Sequence, residues 1–253
     1  MDAVRHANRI ALVTGAGSGI GRATVLRLVQ EGAAVIGCDI NSDGLDGTRR
    51  ALDELGMSAE LDIADVTQQG DVDRLVAAAG PRIDILANVA GIMDHFLPLG
   101  EVDDETWNHV LDVNLTGVMR LSRAVLPVME RNGGGAIVTV ASKASVGGGV
   151  AGVAYASSKH AVIGLVQSIA YYYAPRGIRS NAVLPGGVET GIGASAAPAV
   201  PWAMERSQLA MATMPPVMAQ PDAIATVISW LASDEASNVN GALVSADGGW
   251  SAA

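Results

Sequence analysis

The sequence predicts an α/β protein in which helices cover both faces of one parallel sheet. Short apolar runs alternate with longer helical patterns from end to end. The first of these runs, Ile10–Thr14, is apolar up to its final Thr, as expected of a strand buried on both faces. A glycine-rich turn joins it to the first helix. No linker, charge run or internal repeat divides the 253 residues, so a single domain over 1–253 is expected.

The elements follow in order. After the strand Ile10–Thr14, residues Ile20, Val25, Leu28 and Val29 recur at helical intervals and define a helix over Ile20–Glu31, with Gly32 as its stop. Ala34–Asp39 is the second strand. Ser42 is the expected cap of a helix to about Leu55, ended by Gly56. Ala59–Val66 reads as the third strand, Asp71–Ala79 as a helix and Ile83–Asn88 as the fourth strand. Asp103 or Asp104 opens a long helix through Trp107, Val110, Leu115, Val125 and Met129, although Pro127 argues against its last turns. Ala136–Ala141 is a fifth strand, Ala154–Ala174 a second long helix and Arg179–Leu184 a sixth strand. Gly186–Pro221, rich in Pro, Ala, Met and Gly, predicts a mobile loop with a short helix. Asp222–Ser233 is helical by pattern, and Ala242–Ser245 is the seventh strand.

Composition narrows the function. Apolar residues make up 49% and charged residues 17%, enough for a sizeable core. With 16 Lys+Arg against 26 Asp+Glu, the formal charge is −10, and no basic field exists to hold a nucleic-acid backbone. The single Cys38 cannot form an intrachain disulfide, and no apolar stretch has the length of a membrane span or secretory leader. A cytoplasmic protein is expected. His95 has no companion ligands, so no metal site is predicted.

The turn Thr14–Gly21 places Gly15, Gly19 and Gly21 between a strand and a helix, where free backbone N–H groups can meet a pyrophosphate. No Gly-Lys-Ser/Thr ends it, which excludes a P-loop. Asp39, at the end of the second strand and 18 residues beyond Gly21, suits an acceptor for ribose hydroxyls and would repel a 2′-phosphate. Ser18 and Ile40 supply no cation to neutralise such a phosphate. NAD is therefore expected over NADP.

Tyr155 and Lys159 are four residues apart on the second long helix, which puts both on one face. A phenol of ordinary pKa ~10 is a poor base at neutral pH, and a neighbouring ammonium is expected to lower it. Ser142 directly follows the fifth strand, at the carboxyl edge of the sheet where ligands of such folds bind. Its hydroxyl can hold a substrate oxygen beside the phenol.

These residues together resemble the short-chain dehydrogenase/reductase family in its single-domain branch. The resemblance runs over nearly the full chain: Thr14–Gly21, Asp39, Asp65-Val66, Asn88-Val89-Ala90-Gly91, Asn114, Ser142, Tyr155-x-x-x-Lys159, Pro185-Gly186 with Thr190, and Asp247-Gly248-Gly249. It implies a doubly wound Rossmann fold with seven parallel strands in the order 3-2-1-4-5-6-7. It further implies that Gly15, Ser18, Gly19, Ile20 and Gly21 hold the cofactor's phosphates, and that Asp39 and Ile40 flank its adenosine ribose. Asp65 and Val66 would lie against adenine, with Asn88, Ala90 and Gly91 beside the cofactor. Pro185, Gly186, Val188 and Thr190 would fix the nicotinamide carboxamide. Tyr155 and Lys159 would serve both catalysis and cofactor binding, Ser142 would steady the substrate oxygen, and Asn114 would kink its helix and hold a water in the proton relay. Val89 departs from the family, which more often has a second Asn there.

The resemblance also implies homotetramers built through the two long helices and the last strand; Trp250 fits either such an interface or a cap over that strand. Tyr171, Tyr172 and Tyr173 read as helix-surface or interface aromatics. A loop at about 187–221 would cover the substrate, with Ile192, Trp202, Met204, Leu209, Met211 and Met214 forming an apolar pocket. The implied activity is interconversion of a secondary alcohol and a ketone, on an apolar or alicyclic small molecule. Two rivals are a 3-oxoacyl (β-ketoacyl) thioester reductase, which usually needs NADPH, and a catalytically silent dinucleotide-binding protein.

Overall fold

The structure is a computed structural model and describes residues 4–192 and 199–252. Seven parallel strands stand in the order β3-β2-β1-β4-β5-β6-β7. They are β1 (Ile10–Thr14), β2 (Ala34–Asp39), β3 (Glu60–Ile63), β4 (Ile85–Asn88), β5 (Gly135–Val140), β6 (Ile178–Pro185) and β7 (Leu243–Ala246). The helices are α1 (Gly19–Gln30), α2 (Ser42–Glu54), α3 (Gln69–Ala78), α4 (Asp104–Leu111), α5 (Val118–Arg131), α6 (Val153–Tyr173), α7 (Pro201–Met211) and α8 (Pro221–Ala232).

Strand periodicity explains why the central runs are apolar throughout. In β1, Ala11 and Val13 enter the core under α1, α2 and α8, whereas Leu12 enters the core under α3, α5 and α6. β5 repeats the pattern, with Ala136, Val138 and Val140 on the first side and Ile137 on the second. Each central strand is thus apolar on both faces, and replacing fully buried Leu12 by Ala would cost about 2–5 kcal/mol.

Several boundaries differ from expectation for physical reasons. Asn41, not Ser42, caps α2, because its side chain accepts from Gly44 N at 3.0 Å. β3 stops at Ile63, since Ala64, Asp65 and Val66 leave the ladder to line a cavity, with Asp65 Oδ1 accepting from Thr67 N at 2.8 Å. α5 runs through Pro127, which is exposed, as is Arg123 one turn earlier, whose carbonyl the missing N–H frees. Between α4 and α5 the helix continues through a π turn over Asp112–Gly117. α7, eleven residues long, is the short helix expected within Gly186–Pro221. Residues 193–198 of that predicted covering loop lie outside the described residues.

Strand order reverses between β1 and β4, and the crevice at their carboxyl ends is the ligand position of open α/β sheets. Thr14 forms its floor: Thr14 Oγ1 accepts from Val89 N at 2.9 Å and Ala90 N at 3.0 Å.

Candidate active site

A cavity of about 430 Å³ fills that crevice. The glycine turn forms one wall by backbone alone. A Cβ at Gly21 would stand 1.9 Å from the Gly15 carbonyl oxygen, and Gly15 has φ +70°, so neither tolerates a side chain. α1 begins at Gly19 with no side-chain cap and no acid in its first turn, which leaves its N–H groups facing the cavity. This uncapped, side-chain-free cradle fits the diphosphate of a dinucleotide.

Asp39 stands at the rim. Its Oδ2 accepts from Gly17 N at 2.9 Å and its Oδ1 from Asn41 N at 2.9 Å, so the carboxylate is held in place. The nearest guanidinium, Arg22, points behind the turn, donating to the carbonyls of Gly17 and Gly44 and to Thr48 Oγ1. The cavity wall is continued by Ser18, Gly19, Ile20, Ile40, Asp65, Val66, Ala90 and Gly91, and by Pro185, Gly186, Val188 and Thr190 after β6. Thr190 packs on the turn: a Cβ at Gly19 would meet its Cγ2 at 2.9 Å.

At the other end, α6 carries Tyr155 and Lys159 one turn apart, both buried. Ser142 follows β5 and caps a short 3₁₀ turn, with Oγ accepting from Ala144 N at 3.0 Å. Ser142 and Tyr155 line the same end of the cavity, where the Ser142 hydroxyl favours the ionised form of the phenol. Lys159 Nζ donates to the Val140 carbonyl at 2.8 Å and lies 5.6 Å from the centre of the Tyr155 ring.

The electrostatics correct one expectation. The phenol of Tyr155 is raised above its ordinary 10, not lowered: burial penalises the phenolate most, the Ser142 hydrogen bond opposes this, and the Asp94 charge adds to it. Burial likewise holds the Lys159 ammonium down to about 8. In both groups burial is the largest influence.

Two predicted site residues stand behind the cavity wall. The Asn88 side chain is buried and donates to Ser122 Oγ at 3.2 Å and Thr139 Oγ1 at 3.4 Å, tying β4 to α5 and β5. Asn114 lies in the π turn, where Oδ1 accepts from Ile92 N and Nδ2 donates to Ile92 O, both at 2.9 Å. Nδ2 also donates to Ser158 Oγ on α6 at 3.2 Å, next to Lys159, and an added Cβ on Gly91 would stand 3.2 Å from Asn114 Oδ1 and 3.5 Å from Lys159 Nζ.

Of the six apolar candidates in the 187–221 segment, Ile192 lines this cavity. Trp202 and Leu209 are 59% and 63% exposed on α7, beside a separate groove. Trp250 is buried within the chain, donating from Nε1 to the Ala210 carbonyl at 3.2 Å. Tyr171 and Tyr172 are exposed and stacked edge to face, whereas Tyr173 packs partly against the core. Sequence reasoning missed the lining residues Ile92, His109 and Val113. Ile92 adjoins Gly91 in the chain, but nothing in the sequence brings His109 to this wall. Among the described residues, no cluster of His, Cys, Asp and Glu could hold a metal ion, and no helix is long and apolar enough to cross a membrane.

A dinucleotide cradle at the switch point of a parallel sheet, with Ser142, Tyr155 and Lys159 at its far end, defines a nicotinamide dinucleotide-dependent oxidoreductase. The family model for enoyl-(acyl carrier protein) reductase matches residues 15–251. The chain is 38% identical over 261 residues to 3beta-hydroxysteroid dehydrogenase 2 of Eggerthella lenta, covering 100% of both. It is 39% identical over 252 residues to cis-4-hydroxycyclohexanecarboxylate dehydrogenase of Sinomonas cyclohexanicum, covering 97% of this chain and 98% of that one. The solved structure of a protein described as an NAD(P)-dependent gluconate 5-dehydrogenase from Beutenbergia cavernae, with bound NADP, superposes with a TM-score of 0.87 at 39% identity and covers 99% of each chain. The chain belongs to the short-chain dehydrogenase/reductase family.

Proposed function

We propose that the protein is an NAD-dependent dehydrogenase that interconverts a secondary alcohol and a ketone on an apolar, alicyclic substrate. The observation that carries the chemistry is the buried Tyr155, which shares one cavity with Ser142, Lys159 and the glycine cradle. When bound, the nicotinamide accepts or returns the hydride. In oxidation, Tyr155 Oη takes the hydroxyl proton, and Ser142 Oγ holds the substrate oxygen within reach of the phenol. Tyr155 reacts as the phenolate and ends as the phenol, and Lys159, fixed by the Val140 carbonyl, supplies positive charge beside that phenolate.

Asp39 supports NAD: the carboxylate is pinned at the rim, and Arg22 is committed elsewhere. Apolar Ile92, Val188 and Ile192 on the wall support an apolar substrate, as do relatives named for a steroid and a cyclohexane alcohol. The cytoplasm, with its reducing conditions, suits the single buried Cys38, and a homotetramer is the assembly we propose. Reduction of a 3-oxoacyl thioester with NADPH is the alternative, favoured by the acyl carrier protein in the family model's description and the NADP in the similar structure.

The test is a substrate panel of cyclohexanol, a 3β-hydroxysteroid and acetoacetyl thioester, each with NAD(H) and NADP(H). Turnover of the alicyclic alcohols with NAD, abolished in Tyr155→Phe, is expected. Turnover of the thioester alone with NADPH would replace this reading by the alternative, and full activity in Tyr155→Phe would move the proton transfer to another group.

A further inference from the structure

The helix that carries Tyr155 has no cap of its own. Its N-cap is Gly152, which offers no side chain to the N–H groups of the first turn. Those groups are met by the loop after β4. Val153 N donates to the Leu97 carbonyl at 2.9 Å, and Tyr155 N donates to Asp94 Oδ2 at 2.9 Å. Asp94 is fully buried, 61 residues from Tyr155 in the chain. Its second oxygen, Oδ1, finds no hydrogen-bond donor among the described residues, and an added Cβ on Gly152 would stand 2.3 Å from it.

The same loop is gripped at its other end by Asn114, which both accepts from and donates to the Ile92 backbone. Between these two grips, His95 and Phe96 have φ of 54° and 55°, a left-handed pair that non-glycine residues adopt at a cost and only where the surroundings impose it. The turn they make leads the chain from Asp94 to Leu97, whose N–H bonds back to the Asp94 carbonyl at 3.1 Å. The loop therefore links Asn114 to the first turn of α6.

We propose that Asp94 is a positioning residue for the Tyr155 phenol, acting through the backbone of α6 and through its negative charge. The carboxylate sits at the positive end of the α6 dipole. It also opposes a second negative charge on the phenol nearby, and burial makes that opposition stronger than it would be in water. Three elements bring groups to bear on the phenol: Ser142 after β5, Lys159 one turn along α6, and Asp94 after β4. Lys159 favours the phenolate and Asp94 disfavours it, so the pair brackets the pH at which Tyr155 exchanges its proton. The inference rests on Tyr155 being the acid/base group, and its test does not need the natural substrate.

The test is a spectroscopic titration of the phenolate in the near ultraviolet, on the full chain saturated with NAD. The step absent from Tyr155→Phe belongs to Tyr155. In Asp94→Asn, which keeps an acceptor for Tyr155 N and removes the charge, that step should move to lower pH by at least about half a unit. Gly152→Ala provides a second route, because its Cβ pushes the carboxylate off its seat without altering either residue; the same downward shift is expected. A purely structural role would lower the melting temperature and leave the step where it is. An unmoved step in whichever of the two variants folds overturns the proposal. Separately, cyclohexanol oxidation that survives in Tyr155→Phe would overturn the acid/base reading, whatever the titration shows.

Discussion

The Lys159 ammonium is anchored to the Val140 carbonyl at 2.8 Å and lies 5.6 Å from the centre of the Tyr155 ring, with both side chains buried. Burial holds its pKa down to about 8, against 10.5 in the unfolded chain. The unfolded state therefore binds more protons between those two values, and stability rises with pH across that window, while at pH 7 the full penalty of the buried charge is present. Lys159→Met should raise stability at neutral pH by on the order of 1–3 kcal/mol while abolishing turnover. Thermal melts of both proteins at several pH values check this; a lower melting temperature for Lys159→Met at pH 7 would show that the bond to Val140 outweighs desolvation.

Asp39 governs the choice of cofactor if its pinned carboxylate accepts the ribose hydroxyls. Asp39→Ala should then lower kcat/KM with NAD by about tenfold, the worth of a charge-assisted hydrogen bond, and raise it with NADP. The comparison needs only initial rates with the two cofactors. Equal efficiency of NAD and NADP in the wild-type protein would refute the assignment.

A polar cluster far from the cavity should set the acid limit of stability. The buried His6 ring lies 3.1 Å from Ser229 Oγ and 3.5 Å from a Glu31 oxygen, holding the N-terminal segment to α1 and α8. Burial, the main influence, keeps its pKa below the ordinary 6.5, with Glu31 opposing and Arg5 assisting. The unfolded chain takes up the proton first as pH falls, so the contribution of neutral His6 is complete above 6.5 and declines below it. Melting temperature should fall from pH 7 toward about pH 5, and less steeply in His6→Gln. Parallel slopes would assign the acid sensitivity to other groups.

Asn114 should matter to stability as well as to turnover. Asn114→Ala leaves the half-buried Ile92 N–H and carbonyl without that partner, a loss of about 1–3 kcal/mol. Urea unfolding followed by tryptophan fluorescence measures it, and an unchanged midpoint would mean that Ile92 finds other partners.

The alternation of strands and helices was legible because each central strand is apolar on both faces, and the dinucleotide turn because its glycines stand between β1 and α1. The short helix expected within Gly186–Pro221 is α7; its bounds were obscured by prolines that read as punctuation, yet Pro201 occupies the first helical turn, where its missing N–H costs nothing. The positions of Asn88 and Asp94 were beyond reach for another reason. Their partners, Ser122, Thr139 and Tyr155, lie 34, 51 and 61 residues away in the chain, and local pattern carries no record of such pairings. The raised phenol of Tyr155 belongs to the same class, since its burial depends on the whole fold.

The π turn at Asp112–Gly117 makes one continuous helix serve two cores. Val110 and Leu121 are eleven residues apart, about three α-helical turns, so an unbroken α-helix would set both on one side. In the structure, Val110 packs with Ala154 and Tyr155 beside the cavity, whereas Leu121 packs with Leu12 and Leu86 under the sheet. The extra residue of the wide turn is a phase shift between two halves of a single rod. Deleting any one residue from 112–117 would rotate one half against the other by about 100° and turn one of those apolar faces away from its core. A systematic scan of single-residue deletions should therefore find this stretch far less tolerant than the loop at 55–59, where a lost residue only shortens a connection.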